Sequence, residues 1–142
     1  MNAVVFTVSD SCFAGLREDR SGPDVADRLK HAGFSVAEVL IVPDEPEQIA
    51  AALHQQAARA QLVVTTGGTG ITARDVTPEA TRSVCERLVD GLAERMRAEG
   101  LKQTPLAALS RGVCGTIARD GGGTLVINLP GSPGGATTSL QA

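Results

Sequence analysis

At 142 residues, 42% hydrophobic and 20% charged, the chain is sized for one globular domain that buries about two-thirds of its unfolded-chain surface. A net charge of −3 without any block of Lys or Arg, and aromatics limited to Phe6, Phe13 and Phe34, exclude the usual nucleic-acid and acidic-membrane binding surfaces. Cys12, Cys85 and Cys114 lie far apart with no zinc spacing, no secretory leader pattern is present, and no apolar run approaches the ~20 residues of a membrane helix, so a soluble, cytoplasmic protein with free thiols is expected.

Ala3 to Val8 is a short β-rich apolar run of the kind buried on both faces of a parallel sheet. A polar loop follows from Ser9 to Gly22. Pro23 suits the first position of a helix whose Val25, Leu29 and Ala32 share a face before Gly33 ends it. Phe34 to Val42 reads as a strand, Pro43 to Pro46 as a loop, and Glu47 to Ala60 as a helix with Ile49, Leu53 and Ala57 in its stripe. Leu62 to Thr65 is the next strand, and a glycine loop follows it. A helix then opens at Pro78 with Thr77 as N-cap and Ala80, Val84 and Leu88 on one face. A second helical piece runs from Leu92 to Glu99 and stops at Gly100. Val113 to Arg119 and Thr124 to Leu129 form two strands around the turn Asp120-Gly-Gly-Gly123, and Pro130 to Pro133 resembles another strand-to-helix turn. Gly135 to Ala142 begins a helical pattern with almost no room to continue. The alternation implies a single domain with a parallel, three-layer α/β fold.

In open α/β sheets, ligands bind beyond the carboxyl ends of the strands, near the point where strand order reverses. Four loops follow strands here: Ser9 to Gly22, Pro43 to Pro46, Gly67 to Thr77 and Pro130 to Gly135. Two are glycine-rich, two carry acidic residues, and in this topology all meet on one sheet edge. Gly67-Gly-Thr-Gly70 admits three readings. A P-loop fails for want of a lysine near Gly70. A dinucleotide fingerprint is matched by Gly68, Gly70 and Ala73, but Pro78 delays the helix and no strand ends in an acidic residue about 20 positions on. The third reading is a nest whose successive N–H groups from Gly67 to Gly70 hold phosphate oxygens.

Asp75 beside such an anion makes sense with a Mg²⁺ between them, and Asp44, on the preceding strand-end loop, is a second carboxylate for it. Alternatively, Asp44 is a turn residue ahead of Glu47 and Asp75 a partner for Arg74. Ser9, Asp10 and Ser11 are ligands or turn formers, and chemistry alone favours the turn. Ser110-Arg111 grips a phosphate or caps a helix end. His31 and His54 stand alone on predicted helices, and Cys12 has no histidine nearby in sequence to activate it.

Thr66 to Gly70, Arg74 to Glu79, Val42 to Glu45 and Asn128 to Gly131 together closely resemble the molybdopterin adenylyltransferases of molybdenum-cofactor biosynthesis. Val8-Ser-Asp10, Asp19 to Pro23 and Leu109-Ser-Arg111 extend the resemblance over nearly the whole chain. The resemblance implies a Rossmann-like α/β/α fold with a mostly parallel sheet and a small β-hairpin. It also implies a homotrimer that works beside other molybdenum-cofactor assembly proteins. The implied reaction transfers AMP from ATP to the terminal phosphate of molybdopterin, with Mg²⁺, and releases pyrophosphate. Asp44 and Asp75 match the catalytic, metal-holding positions. Gly67, Gly68, Thr69, Gly70, Asn128, Pro130, Gly131 and Ser132 match the nucleotide-site segments, with Ser9 and Asp10 in the first-loop motif. Glu94 matches a further acidic position, and Ser110 and Arg111 fall where the pterin end is held. Gly100 stands where relatives carry a serine near the pterin phosphate, and the chain stops where the family continues into a C-terminal helix. Two other classes stay open: a non-catalytic molybdopterin-binding or scaffold module of the same fold, and an NAD-linked enzyme.

Overall fold

Side chains on successive positions of an extended strand leave on opposite faces, and the central strands of this chain are apolar on both. Ala3 and Val5 of β1 (Asn2–Val8) enter one core cluster, whereas Phe6 and Val8 enter the other. Leu62 and Val64 of β3 (Leu62–Thr66) likewise face one cluster and Val63 the other. The first cluster is closed by Val25, Ala26 and Leu29 of α2 (Ser21–His31), with Met96 of α5 (Asp90–Leu101) packed against it. The second is closed by Ile49, Leu53 and Ala57 of α3 (Pro46–Ala57) and Ala80 of α4 (Thr77–Val84). The result is the expected α/β/α layering. The computed structural model describes residues 1–119 and 122–131.

The sheet has six strands in the spatial order β2 (Ser35–Val42), β1, β3, β6 (Gly122–Leu129), β5 (Cys114–Arg119), β4 (Arg87–Leu88). The pairs β1–β2, β1–β3 and β3–β6 are parallel, while β5–β6 and β4–β5 are antiparallel. The sheet is therefore mostly parallel, with the expected hairpin at one side; residues 120 and 121 of its turn, and the helical pattern from Gly135 onward, lie outside the described residues. Chain order reverses at β1, since β2 and β3 flank it on opposite sides. The loops after β1, β2, β3 and β6 share one edge because those four strands run in one direction.

Several boundaries differ from the sequence expectation. A short helix, α1 (Asp10–Phe13), opens the first loop, where Ser9 caps it by accepting from the Cys12 N–H at 3.2 Å. The next helix starts at Ser21 rather than Pro23, because the Asp19 carboxylate accepts the Gly22 N–H at 3.1 Å and supplies the missing acceptor two residues earlier. Thr77 is not an N-cap. It is the first residue of α4, and its hydroxyl donates to the Gly67 carbonyl at 3.0 Å. Leu88 is not on that helix, since the chain turns extended at Cys85 and pairs with β5 through Glu86 N to Thr116 O at 2.9 Å and Val89 N to Cys114 O at 2.7 Å. Gly115 permits this approach, as a Cβ there would lie 2.8 Å from the Arg87 carbonyl. Gly100 does not stop α5 but lies within it, and the 3₁₀ turn Pro105–Leu109 packs against it. Among the described residues, no helix is long and apolar enough to cross a membrane.

The seat of α2 on the sheet depends on Gly22. A Cβ at this position would meet the Thr7 hydroxyl, lie 2.5 Å from Asp19 Oδ2 and 2.6 Å from Val39 Cγ1. Gly22→Ala is therefore predicted to destabilise the fold by about 1–3 kcal/mol through overpacking. A lowered thermal midpoint would register this; an unchanged midpoint would show that α2 can shift away from β1 and β2 without loss.

Candidate active site

The glycines after β3 have separate causes. Gly67 and Gly68 take φ of 94° and 70°, the left-handed region in which a side chain is strained. A Cβ on Gly67 would also strike the Val8 carbonyl, and one on Gly68 would strike the Thr77 hydroxyl and sit 3.3 Å from Asp44 Oδ1. Gly70 has ordinary backbone, but a Cβ there would lie 2.7 Å from Asp75 Oδ2. The loop is bare because three other parts of the site pass within contact of its backbone. The Gly67 N–H donates to Leu129 O at 3.1 Å, which extends the β3–β6 ladder. The N–H groups of Gly68, Thr69 and Gly70 meet no acceptor among the described residues, whereas that of Gly67, expected to join them, is already engaged.

Arg111 straps this loop from one side. Its backbone N–H donates to Thr69 O at 2.8 Å, Nε to Gly70 O at 2.7 Å and Nη2 to Asp75 O at 2.7 Å, while Nη1 pairs with Glu79 Oε2 at 2.7 Å. That guanidinium holds the Glu79 carboxyl below its usual range. On the other side, Arg74 does not pair with Asp75. It forks onto Asp10, with Nε and Nη2 at 3.0 and 2.8 Å from Oδ2, and reaches Glu45 Oε1 at 3.1 Å. Asp10 accepts the Asp44 N–H at 2.9 Å, and Asp44 accepts the Asp10 N–H at 2.9 Å.

Two clefts open against the glycine loop. A polar one of about 680 Å³ is lined by residues from all four strand-end loops, including Ser9, Asp19, Ser21, Asp44, Gly67, Asp75 and Gly131. A more apolar one of about 640 Å³ lies between the loop, one face of α5 (Ala93, Met96, Arg97, Gly100) and the 3₁₀ turn, with Thr69, Gly70, Ser110, Asn128 and Pro130 also on its wall. Gly68, Asp75 and Gly131 line both.

Asp44 and Asp75 thus share the polar cleft. Asp10 and Arg111 line neither cleft; their side chains are spent on the loops themselves. Glu94 is exposed on α5 and lines neither, being one position off the helix face that does. Asn128 is fully buried: Oδ1 accepts the Val113 N–H at 3.1 Å, and Nδ2 donates to the Thr65 and Thr81 hydroxyls at 3.0 Å each. Its side chain ties β6 to β3, to α4 and to Val113 just ahead of β5, and its own backbone N–H donates to Val113 O at 3.0 Å. Ser132 lies outside the described residues.

Sequence reasoning assigned no role to Arg17 and Arg20, cations on the polar cleft with no ion-pair partner among the described residues, or to the Thr66 hydroxyl. That hydroxyl is buried without a hydrogen-bond partner. The Asp19-Arg-Ser-Gly-Pro23 motif was the signal for Arg20. For the α5 face, the 93, 96, 97, 100 spacing was the signal.

Burial pushes the Asp44 carboxyl above its ordinary value, and the neighbouring Asp10 and Asp75 carboxylates act in the same direction. Asp10 is lowered, first by the Asp44 N–H and then by Arg74. Among the described residues no group of three or more His, Cys, Asp or Glu could hold a metal. A Mg²⁺ that takes most of its ligands from substrate phosphates and water needs only one or two carboxylates. Asp44 and Asp75 fit that requirement. Asp44 Oδ2 is held by the Asp10 N–H and Asp75 Oδ2 by the Thr72 N–H and hydroxyl, at 3.0 and 2.8 Å, and the second oxygen of each receives no hydrogen bond among the described residues. Cys85 and Cys114 are pushed up to about 11 by burial, so neither offers a thiolate nucleophile near neutrality.

A carboxyl whose pKa rises on folding costs stability once ionised. That cost is absent below the unfolded value of 3.8 and complete above the folded value. Asp44→Asn, whose amide oxygen still accepts the Asp10 N–H, is therefore predicted to raise the thermal midpoint at neutral pH. The gain should vanish as pH falls towards 3.8; a midpoint unchanged or lowered at pH 7 would contradict the electrostatic strain.

The family model described as "Probable molybdopterin binding domain" matches residues 4–142. The chain is 39% identical over 142 residues to a molybdopterin adenylyltransferase of Helicobacter pylori, covering 97% of this chain and 78% of that protein. It is 44% identical over 132 residues to the molybdenum cofactor synthesis protein cinnamon of Drosophila melanogaster, covering 90% of this chain but 21% of that protein. Among solved structures, the molybdopterin biosynthesis enzyme MoaB from Thermus thermophilus superposes with a TM-score of 0.88 at 49% identity, over 99% of this chain and 87% of its own. With the glycine loop, both aspartates and all but the first two residues of the six-stranded sheet inside the matched region, this chain belongs to the molybdopterin-binding domain family of molybdenum-cofactor biosynthesis.

Proposed function

We propose that this chain is a molybdopterin adenylyltransferase, which joins AMP from ATP to the terminal phosphate of molybdopterin and releases pyrophosphate. The observation that carries the reading is the meeting of two clefts of different chemistry at one wall, where Gly68, Asp75 and Gly131 face both. A transferase with two substrates needs such a junction, and an NAD-linked enzyme has no use for a paired-carboxylate wall. The polar cleft suits ATP: it is lined by Arg17 and Arg20, cations with no ion-pair partner among the described residues, by Thr66 and by the two aspartates. The apolar cleft suits a flat pterin between α5 and the 3₁₀ turn. Arg97 lies on its wall, and there Gly100 allows the turn to approach so closely that a Cβ would sit 2.9 Å from Ala107 Cβ.

A terminal phosphate oxygen of molybdopterin attacks the α-phosphorus of ATP, a P–O bond forms there, and the bond to the β-phosphate oxygen breaks as pyrophosphate leaves. The attacking oxygen is already anionic, so no protein base or covalent nucleophile is needed. The barrier is chiefly the approach of two polyanions. The chain's contribution is positioning and neutralisation: N–H groups of Gly68 to Gly70 face the phosphates, and Arg17 and Arg20 face the polyphosphate tail. Mg²⁺, held by Asp44 and Asp75, would supply further charge neutralisation at the phosphates. A homotrimer in the cytoplasm, receiving molybdopterin from one assembly protein and passing the adenylate to another, belongs to the same reading.

Incubation with molybdopterin, ATP and Mg²⁺ should release pyrophosphate in step with adenylated product. Asp75→Asn should cut turnover by roughly 10²-fold or more, as loss of one preorganised electrostatic group does, with the thermal midpoint near wild type. Pterin binding without pyrophosphate release would instead identify a binding module.

A further inference from the structure

The proposed function gives Asp44 a cation to hold, but a carboxylate on a loop holds a cation well only if its own position is fixed. Asp44 lies in the short connection between β2 and α3. Among the described residues no side-chain hydroxyl or amide orients it: the fixing contact on its carboxylate is the Asp10 N–H, and its own N–H is returned to Asp10 Oδ1. Two loops are thus clasped by a reciprocal pair of backbone-to-carboxylate bonds. The clasp places two negative groups together, and it would open under their repulsion without a counter-charge. Arg74 supplies one from a third loop, one residue before Asp75. Its planar fork engages both oxygens of Asp10, and the same Nη2 reaches Glu45, the residue after Asp44. Neither Asp10 nor Arg74 lines either cleft.

We propose that Asp10 and Arg74 are positioning residues that fix the cation-holding carboxylate of Asp44, and that neither is a nucleotide ligand. Their pair is exposed, with side-chain accessibilities of 45% and 56%, and exposed ion pairs contribute little to stability. The value of this one is geometric: a bidentate guanidinium fixes direction as well as distance, which a lysine cannot do. The inference rests on the reading of Asp44 as a cation ligand.

Calorimetric titration of the full chain with Mn²⁺ separates positioning from simple electrostatics, because they predict opposite signs. Arg74→Met removes a positive charge near the cation, so electrostatics alone would tighten Mn²⁺ binding. Loss of positioning should instead weaken it by roughly 10–100-fold, the usual effect of removing a group that orients a metal ligand. Arg74→Lys should fall between Arg74→Met and wild type. Asp10→Asn should also weaken Mn²⁺ binding, while its affinity for ATP in the presence of EDTA stays at the wild-type value. Melting curves at the wild-type midpoint show that the variants are folded. Equal or tighter Mn²⁺ binding by Arg74→Met overturns the proposal, as does loss of metal-free ATP affinity in Asp10→Asn. Wild type binding Mn²⁺ no better than Asp44→Asn would remove the cation reading of Asp44 itself, and this inference with it.

Discussion

The site depends on the close approach of a bare backbone segment to its neighbours. The segment leaving β3 passes so near the end of β1, the start of α4 and the two aspartates that no side chain fits at Gly67, Gly68 or Gly70. Parallel pairing brings the strand ends to one edge, and the order reversal at β1 opens space between the loops. Only an unadorned loop can then enter that space. Everything ascribed to Asp44 and Asp75 follows from this passage, since one carboxylate lies against Gly68 and the other against Gly70.

Two arginines keep the bare loop in place, and they do so differently. Arg111 bonds mainly to carbonyl oxygens of the loop, so it fixes the course of the chain. Arg74 bonds to carboxylates on two other loops, so it fixes their mutual arrangement. Guanidinium groups suit both tasks because several donors lie in one plane at set angles. Behind them, the buried amide of Asn128 joins two strands, a helix and the residue ahead of β5 through three hydrogen bonds. In the low dielectric of the interior, a polar group satisfied in this way rigidifies its surroundings.

The layers were legible because Val, Ile, Leu and Ala carry the core with hardly any aromatics, leaving clean apolar runs for strands and clean stripes for helices. The failures came where a partner decides the outcome. β4 has two residues and exists through its bonds to β5, and α2 starts early through a carboxylate that precedes it. The same division runs through the site. Gly67, Gly68 and Gly70 announce a special backbone, and Asp44 and Asp75 follow from strand-end placement. The employment of Asp10, Arg111 and Asn128 depends on which donors and acceptors meet in space, and a string of residues does not record that. Motif membership was silent on whether they face inward to a ligand or outward to another loop.

The thiols of half-buried Cys85 and buried Cys114 have a chemical consequence of their own. Exchange between sulfur atoms proceeds through the thiolate, and with Cys85 and Cys114 at about 11 only on the order of one molecule in 10⁴ carries it at neutral pH. At neutral pH these two cysteines are therefore poor attackers of a disulfide.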